Sequence, residues 1–171
     1  MGALLWCEAM IEVDVAYKDE ITVQASYEDA FGLVADVYRS GMHFPSVDTL
    51  TPVDDAGRWR WKMKEKGLGP VKLKATYDAV YVADPEAGTV TWVPPEVGEG
   101  DMTSSGVWTI TREGPGARMR FDARTVARIP GPRLMGKMID AFAREELLRL
   151  KRQYVAAIAR TLNEAQSRRS C

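Results

Sequence analysis

The chain has 171 residues, 46% hydrophobic and 27% charged, with a formal net charge of −1. That is one domain's worth of chain, apolar enough for a sizeable core and without an overall charge that would draw it to nucleic acid. Two cysteines near the two ends and a single histidine exclude a disulfide framework and a histidine-based metal cluster, so neither a metal nor a cofactor is expected.

The charge is unevenly spread. Residues 1–111 hold 9 Lys+Arg against 18 Asp+Glu, and residues 112–171 hold 14 against 6. Either the last strand and helix carry a basic surface, or acidic and basic elements pack side by side. The start, Met1 to Cys7, is apolar but short, lacks a cationic region and is followed at once by Glu8, which makes it a poor signal peptide. No stretch approaches the roughly 20 apolar residues of a membrane span. A reducing, cytoplasmic setting is expected.

In chain order, Ile11, Val13, Val15, Tyr17, Ile21 and Val23 share one parity, opposed by Glu12, Asp14, Lys18, Glu20, Thr22 and Gln24. This period of two predicts a long strand with one wet face, and Asp19 on the apolar parity predicts a bend or bulge. Ser26 can cap a helix carrying Ala30, Phe31, Val34, Ala35 and Tyr38, which ends near Ser40-Gly41. His43-Phe44-Pro45 continues it as a short turn or second helix.

A meander follows. Val47 to Val53 predicts a strand, and Asp54-Asp55-Ala56-Gly57 a turn. In Arg58-Trp59-Arg60-Trp61-Lys62-Met63-Lys64 every odd residue is large and apolar and every even one cationic. After the turn Gly67-Leu68-Gly69-Pro70, Val71, Leu73, Ala75, Tyr77, Ala79 and Tyr81 again share one parity. A short strand, Thr89 to Val93, precedes two longer ones, Met102 to Thr111 and Ala117 to Ile129, joined through Glu113-Gly114-Pro115-Gly116. Short turns between consecutive strands predict antiparallel neighbours. The pattern stops at Pro130-Gly131-Pro132, and one helix then runs from about Arg133 to about Glu164. The fold class is α+β: a single curved antiparallel sheet covered by a long C-terminal helix.

A covering helix over a concave sheet encloses space for an apolar ligand. Met135, Ile139, Phe142, Ala143, Leu147, Leu150, Tyr154, Ala157, Ile158 and Thr161 form its broad apolar stripe. Arg144, Arg149, Lys151, Arg152 and Arg160 lie mostly off the stripe's centre. Met135 and Met138 suit either core or an adaptable pocket wall. Glu146 falls between Phe142 and Leu150 on the stripe, either as a polar anchor or raised-pKa acid inside the pocket, or as an edge residue reaching water or an arginine. The candidate ligand-binding residues are Trp59, Trp61, Met63, Tyr77, Tyr81, Trp92, Trp108, Met119, Phe121, Met135, Met138, Phe142 and Glu146. No catalytic set is marked: the chain has no nucleophile elbow, no phosphate loop and no glycine-rich dinucleotide turn. The cationic strand faces at 58–64 and 118–124 lack aromatics on the same side, which argues against nucleic acid.

The order of elements resembles the helix-grip superfamily, which includes Bet v 1-like proteins, START lipid-transfer domains, coenzyme Q-binding proteins and polyketide cyclases. Within it the nearest look is to the G-type subunit of carbon monoxide dehydrogenase and its relatives. The residues that carry the resemblance are Ile21-Thr22-Val23-Gln24-Ala25-Ser26 leading into Ala30-Phe31, Phe44-Pro45-Ser46-Val47, Gly69-Pro70-Val71-Lys72-Leu73-Lys74-Ala75 and Leu134-Met135-Gly136-Lys137-Met138-Ile139-Asp140. It implies a seven-stranded sheet gripping the long helix, two short helices between the first two strands, and an apolar cavity for a lipid, quinone, steroid or polyketide. The domain would span residues 12–164, with 1–11 an extension and 165–171 a tail. Three functions are then in play: a carrier or sensor of a hydrophobic small molecule without catalysis; a cyclase or aromatase using Glu146, Tyr77 or Tyr154; and an accessory protein docking on a membrane or an enzyme through its basic half.

Overall fold

The computed structural model describes residues 7–98 and 100–171. Its elements are β1 (Glu8–Val23), α1 (Tyr27–Ala35), α2 (Val37–Gly41), β2 (Val47–Pro52), β3 (Arg58–Met63), β4 (Lys66–Leu68), β5 (Val71–Leu73), β6 (Thr76–Asp84), β7 (Thr89–Val93), β8 (Met102–Glu113) and β9 (Gly116–Pro132). A single 3-10 turn at Arg133–Met135 then leads into α3 (Gly136–Arg169). Seven strands form one antiparallel sheet in the order β1-β9-β8-β7-β6-β3-β2, and β4 and β5 make a separate hairpin. This is the expected α+β helix-grip architecture, with the two short helices between β1 and β2.

The alternating parity of β1 does what period two requires: Val13, Val15 and Val23 are buried, while Glu12, Asp14 and Thr22 face water. The bulge expected at Asp19 is absent. Pairing runs unbroken from Glu8 opposite Pro132 to Val23 opposite Ala117. Asp19 stays in register because its carboxylate accepts the Tyr17 hydroxyl at 2.6 Å and the Glu20 amide at 2.8 Å. Residues 8–11, read from sequence as part of an extension, belong to this ladder, and residues 1–6 lie outside the described residues.

The uneven charge is resolved across the same ladder. Arg124 pairs with Asp14, Lys18 with Asp122, Arg118 and Arg120 with Glu20, and Arg128 with Glu12. Acidic and basic elements therefore lie side by side, and the cations of β9 meet the carboxylates of β1.

Four boundaries differ from the sequence reading. Ser26 caps α1 as expected, its hydroxyl accepting the Asp29 amide at 3.1 Å. The helix then breaks at Asp36, whose extended backbone (ψ 97°) lets its carboxylate cap α2 through the Arg39 amide. Tyr38, placed on the buried face by an unbroken helix, is consequently exposed. The strand predicted from Val71 through Tyr81 is two: β5 peels off to pair with β4, and β6 rejoins the sheet at Thr76. Alternation survives this break, so periodicity could not reveal it. Finally, β9 runs through Pro130-Gly131-Pro132, and α3 continues past Glu164 to Arg169. β8 pairs with β9 only as far as Ala127, so the prolines lie where β9 has β1 as its one strand partner, and a side chain at Gly131 would run into Ile139 of α3.

Two apolar clusters hold the layers together. The larger joins Tyr154, Val155, Ile158 and Leu162 of α3 to α1 and the sheet's concave face. The smaller joins Ile139 and Ala143 to Val13, Val15, Ala127, Ile129 and Val71. Residues of both clusters line a space between them.

Candidate functional site: an aromatic cavity under the long helix

That space is a cavity of about 450 Å³, within the range of small-molecule sites. Its walls come from α2, from β3, β6, β7, β8 and β9, from the middle of α3 (Ala143 to Tyr154) and from the β4–β5 hairpin. The strands supply inward-facing aromatics because every second residue of each points to the concave face. Eight rings form a continuous chain around it: Tyr81, Trp92, Phe121, Trp108, Tyr154, Phe44, Trp61 and Tyr77. Successive centroids lie 4.8–6.2 Å apart. Two glycines make room for this wall. A Cβ at Gly106 would strike the Trp92 ring, and one at Gly41 would strike Trp61 and Leu50.

Of the thirteen residues picked from the sequence, eight line the cavity: Trp61, Met63, Tyr77, Tyr81, Trp92, Trp108, Phe121 and Glu146. The other five do not. Met119 is fully buried in the larger cluster, and Trp59 packs at its edge. Met135 joins the smaller cluster, and Met138 is half exposed. Phe142 lies beneath the Lys66 ammonium, 5.8 Å from the ring centroid. The Met-rich start of the helix is thus neither pocket wall nor, at Met138, core. The axis of α3 carries these residues beyond the end of the cavity.

Glu146 sits at the rim. Its side chain is largely covered, and Lys66 of the hairpin donates to it at 2.6 Å while Arg149 donates twice at 2.5 and 3.0 Å. The Arg149 hydrogen bonds, joined by Lys66, hold its carboxyl below the usual carboxylate range. The raised-pKa acid considered from sequence is therefore overturned. Glu146 is ionised, and it clamps the hairpin to the long helix.

Five polar or charged side chains are buried among the described residues, and four of them line the cavity: Ser40, Ser104, Thr125 and Lys151. Ser40 lies 2.6 Å from the Tyr154 hydroxyl, which also accepts the Trp108 indole N–H at 3.2 Å. Ser104 accepts the Trp92 indole N–H at 3.1 Å and stands directly opposite Thr125 across the β8–β9 pair. Lys151 donates to Thr125 Oγ1 at 2.6 Å. Burial lowers the Lys151 pKa to about 8 and raises those of Tyr77, Tyr81 and Tyr154, so the three phenols are protonated donors at neutral pH. The buried Trp61 indole N–H has no hydrogen-bond acceptor at good geometry among the described residues.

Periodicity did not mark Ser40, Phe44, Ser104, Thr125 or Lys151 as wall residues. For Lys151 a signal was available: it is four residues after Leu147 and three before Tyr154, hence on the same helical face. The lone His43 ties α2 to α3, one ring nitrogen 2.8 Å from the Arg39 carbonyl and the other 2.8 Å from the Thr161 hydroxyl. Among the described residues no cluster of three His, Cys, Asp or Glu side chains could hold a metal, and no helix is long and apolar enough to cross a membrane.

Comparison with known proteins supports the architecture. Residues 14–155 match the family described as "Polyketide cyclase / dehydrase and lipid transport". No curated protein sequence matches the chain. Among solved structures, a protein from Thermus thermophilus is similar at a TM-score of 0.65 and 19% identity, over 88% of this chain and 99% of the other. The Zhui aromatase/cyclase from Streptomyces sp. R1128 is similar at 0.58 and 16%, over 92% and 96%. A START superfamily protein from Mycobacterium smegmatis is similar at 0.59 and 13%, over 88% and 98%. At these identities the likeness is one of fold. None of these matches bears on the narrower likeness to a carbon monoxide dehydrogenase component.

Proposed function

Because the chain belongs to the polyketide cyclase/dehydrase and lipid transport family, we propose that it binds or carries a hydrophobic small molecule of the lipid, quinone or polyketide-like class in the cavity under α3. The observation that carries this reading is the chain of eight aromatic rings around about 450 Å³ of space. Rings at this density offer a planar or extended apolar body a large contact area. The buried hydroxyls, indole N–H groups and ammonium are few, as expected of groups that orient a ligand rather than solvate it. Native mass spectrometry of the protein as purified tests the reading, together with quenching of the cavity tryptophans by added lipids and quinones. A co-purifying apolar molecule or a saturable quench supports it; a bare mass and no quench across both classes would sink it.

A second reading, a cyclase or aromatase acting on a polyketide-like substrate, is favoured by the same polar groups. Protonated Tyr77 and Tyr81 could polarise a carbonyl, and Lys151, with its lowered pKa, could move a proton. Turnover of a poly-β-ketone thioester, followed by mass spectrometry, separates the two readings. A carrier returns the substrate unchanged, and an enzyme loses turnover in Lys151→Met.

A further inference from the structure

We infer that the cavity is built for an amphiphile with a carboxylate head, whose ionised oxygens sit against Lys151 Nζ and Thr125 Oγ1. This rests on the reading of the cavity as a site for an apolar molecule and specifies that molecule's polar end.

Lys151 is only 4% exposed and lines the cavity from the middle of α3. An ammonium there has lost most of its water. Such a group is ordinarily paired with a carboxylate or turned toward bulk solvent. Lys151 has neither compensation: it makes one hydrogen bond, to the neutral Thr125 hydroxyl, and no carboxylate lies within ion-pairing distance of it among the described residues. An ammonium has three donors, so two remain for a ligand. Thr125, having accepted from Lys151, keeps its own hydroxyl proton for a third bond.

The surroundings sharpen the choice of head group. In the interior of the wall the ionisable neighbours of Lys151 are Tyr77, Tyr81 and Tyr154, whose pKa values burial raises and which bring no negative charge, whereas Lys64, Glu65, Lys66, Lys72, Lys74, Asp101 and Arg128 of the lining are exposed to water. The carboxylate of Glu146 is on the same helix, but Lys66 and Arg149 already engage it at the rim. The wall therefore holds an unneutralised cation against apolar rings. A carboxylate on an apolar tail satisfies both parts, whereas a neutral alcohol satisfies only the second. A second ammonium would be repelled. Burial lowers the Lys151 pKa to about 8, so the cation is present at neutral pH and is lost as pH rises.

The test compares decanoate below its micellar concentration with 1-decanol below its solubility limit, on the full chain and on Lys151→Met, which keeps an unbranched side chain one atom shorter and removes its charge. Tryptophan quenching reads the affinity. At pH 7 the unmutated protein should bind decanoate at least tenfold more tightly than decanol. Lys151→Met should lose at least tenfold for decanoate and change less than threefold for decanol. In the unmutated protein, decanoate affinity should fall between pH 7 and pH 10 while decanol affinity stays flat. Equal binding of the two compounds overturns the assignment, and a preference for decanoate that survives Lys151→Met overturns it and places the anion at the rim cations instead; decanol binding would still support the apolar site. If neither compound binds, the assignment falls, and the reading of the cavity falls with it only when the added lipids and quinones also fail to quench. Should Lys151→Met not fold, the pH series decides alone, and a flat decanoate profile overturns the proposal.

Discussion

The hydroxyl of Tyr154 lies 2.6 Å from that of Ser40, and so the long helix is tied to the end of α2 across the top of the cavity. The same oxygen accepts the Trp108 indole N–H, which brings a third element, β8, into one buried knot. Tyr154→Phe removes the oxygen and leaves two buried polar groups without their partner. A loss of about 1–3 kcal/mol in unfolding free energy is expected. Urea denaturation checks it, and Ser40→Ala in the Phe background should cost little more, because the bond is already gone.

Asp78 on the outer face of β6 is enclosed by two arginines of β3. Arg58 donates to Oδ2 at 2.5 and 2.8 Å, and Arg60 reaches both oxygens at 2.8 and 3.0 Å. Hydrogen bonds from Arg60 and then Arg58 hold the carboxyl below its ordinary value. A depressed carboxylate stabilises the fold above its unfolded pKa, and that contribution disappears as pH falls through the native one. Asp78→Asn should therefore be destabilised by about 1–3 kcal/mol at pH 7, with the gap to the unmutated protein closing below about pH 4. Thermal unfolding between pH 2 and 7 measures both effects.

Alkaline pH should first stabilise the protein and then destabilise it. Native Lys151 releases its proton near pH 8, whereas the unfolded chain keeps it to about 10.5. Between those values the unfolded state binds more protons, so stability rises by up to about 1.4 kcal/mol per pH unit. Above pH 10 the sign reverses, because unfolded tyrosines ionise while Tyr77, Tyr81 and Tyr154, whose pKa values are raised in the fold, do not. A maximum near pH 10 in urea midpoints is expected, and Lys151→Met should remove the rise while keeping the fall.

The β4–β5 hairpin is held to α3 by the Lys66–Glu146 pair and by Leu68, Val71 and Leu73, which pack into the smaller cluster. Glu146→Ala leaves Lys66 and Arg149 without their acceptor. The ion pairs are part-exposed, so global stability should change by only about 1 kcal/mol or less. Local opening should change more. Amide exchange at residues 66–73 should speed up, and a bound ligand should enter and leave faster with little change in affinity, as hydrogen-exchange mass spectrometry and stopped-flow quenching would show.

The sequence made the architecture legible because alternation and helical spacing report which face of an element is buried, and the sheet and long helix are set by those faces. Trp61, Tyr77, Trp92 and Phe121 could be placed on the concave side from parity alone. What parity lacks is position along the element. Trp59 and Met119 share the inward parity, yet Met119 ends in packed core and Trp59 at its edge, and Met138 lies beyond the cavity's end. Polar wall residues are harder still, since Ser104 and Thr125 on a strand read as ordinary half-wet positions. Their role depends on what stands opposite, and Trp92 and Lys151 are far away in the chain.

The sixteen-residue pairing of β1 with β9 has a consequence for how the chain is made. Its nearest partners, Val23 and Ala117, are 94 residues apart. At a synthesis rate of about 5–20 residues per second, β1 waits on the order of 5–20 s before any of its partner strand has been made. Through that interval one long strand, apolar on alternate residues, has no neighbour in the sheet, and α3, which buries the other side of it, is made last of all. The carboxylates at Glu12, Asp14 and Glu20 face water on its free side meanwhile, and like charges keep two nascent copies from pairing with each other. The acidic strand is thus its own escort until the basic one arrives.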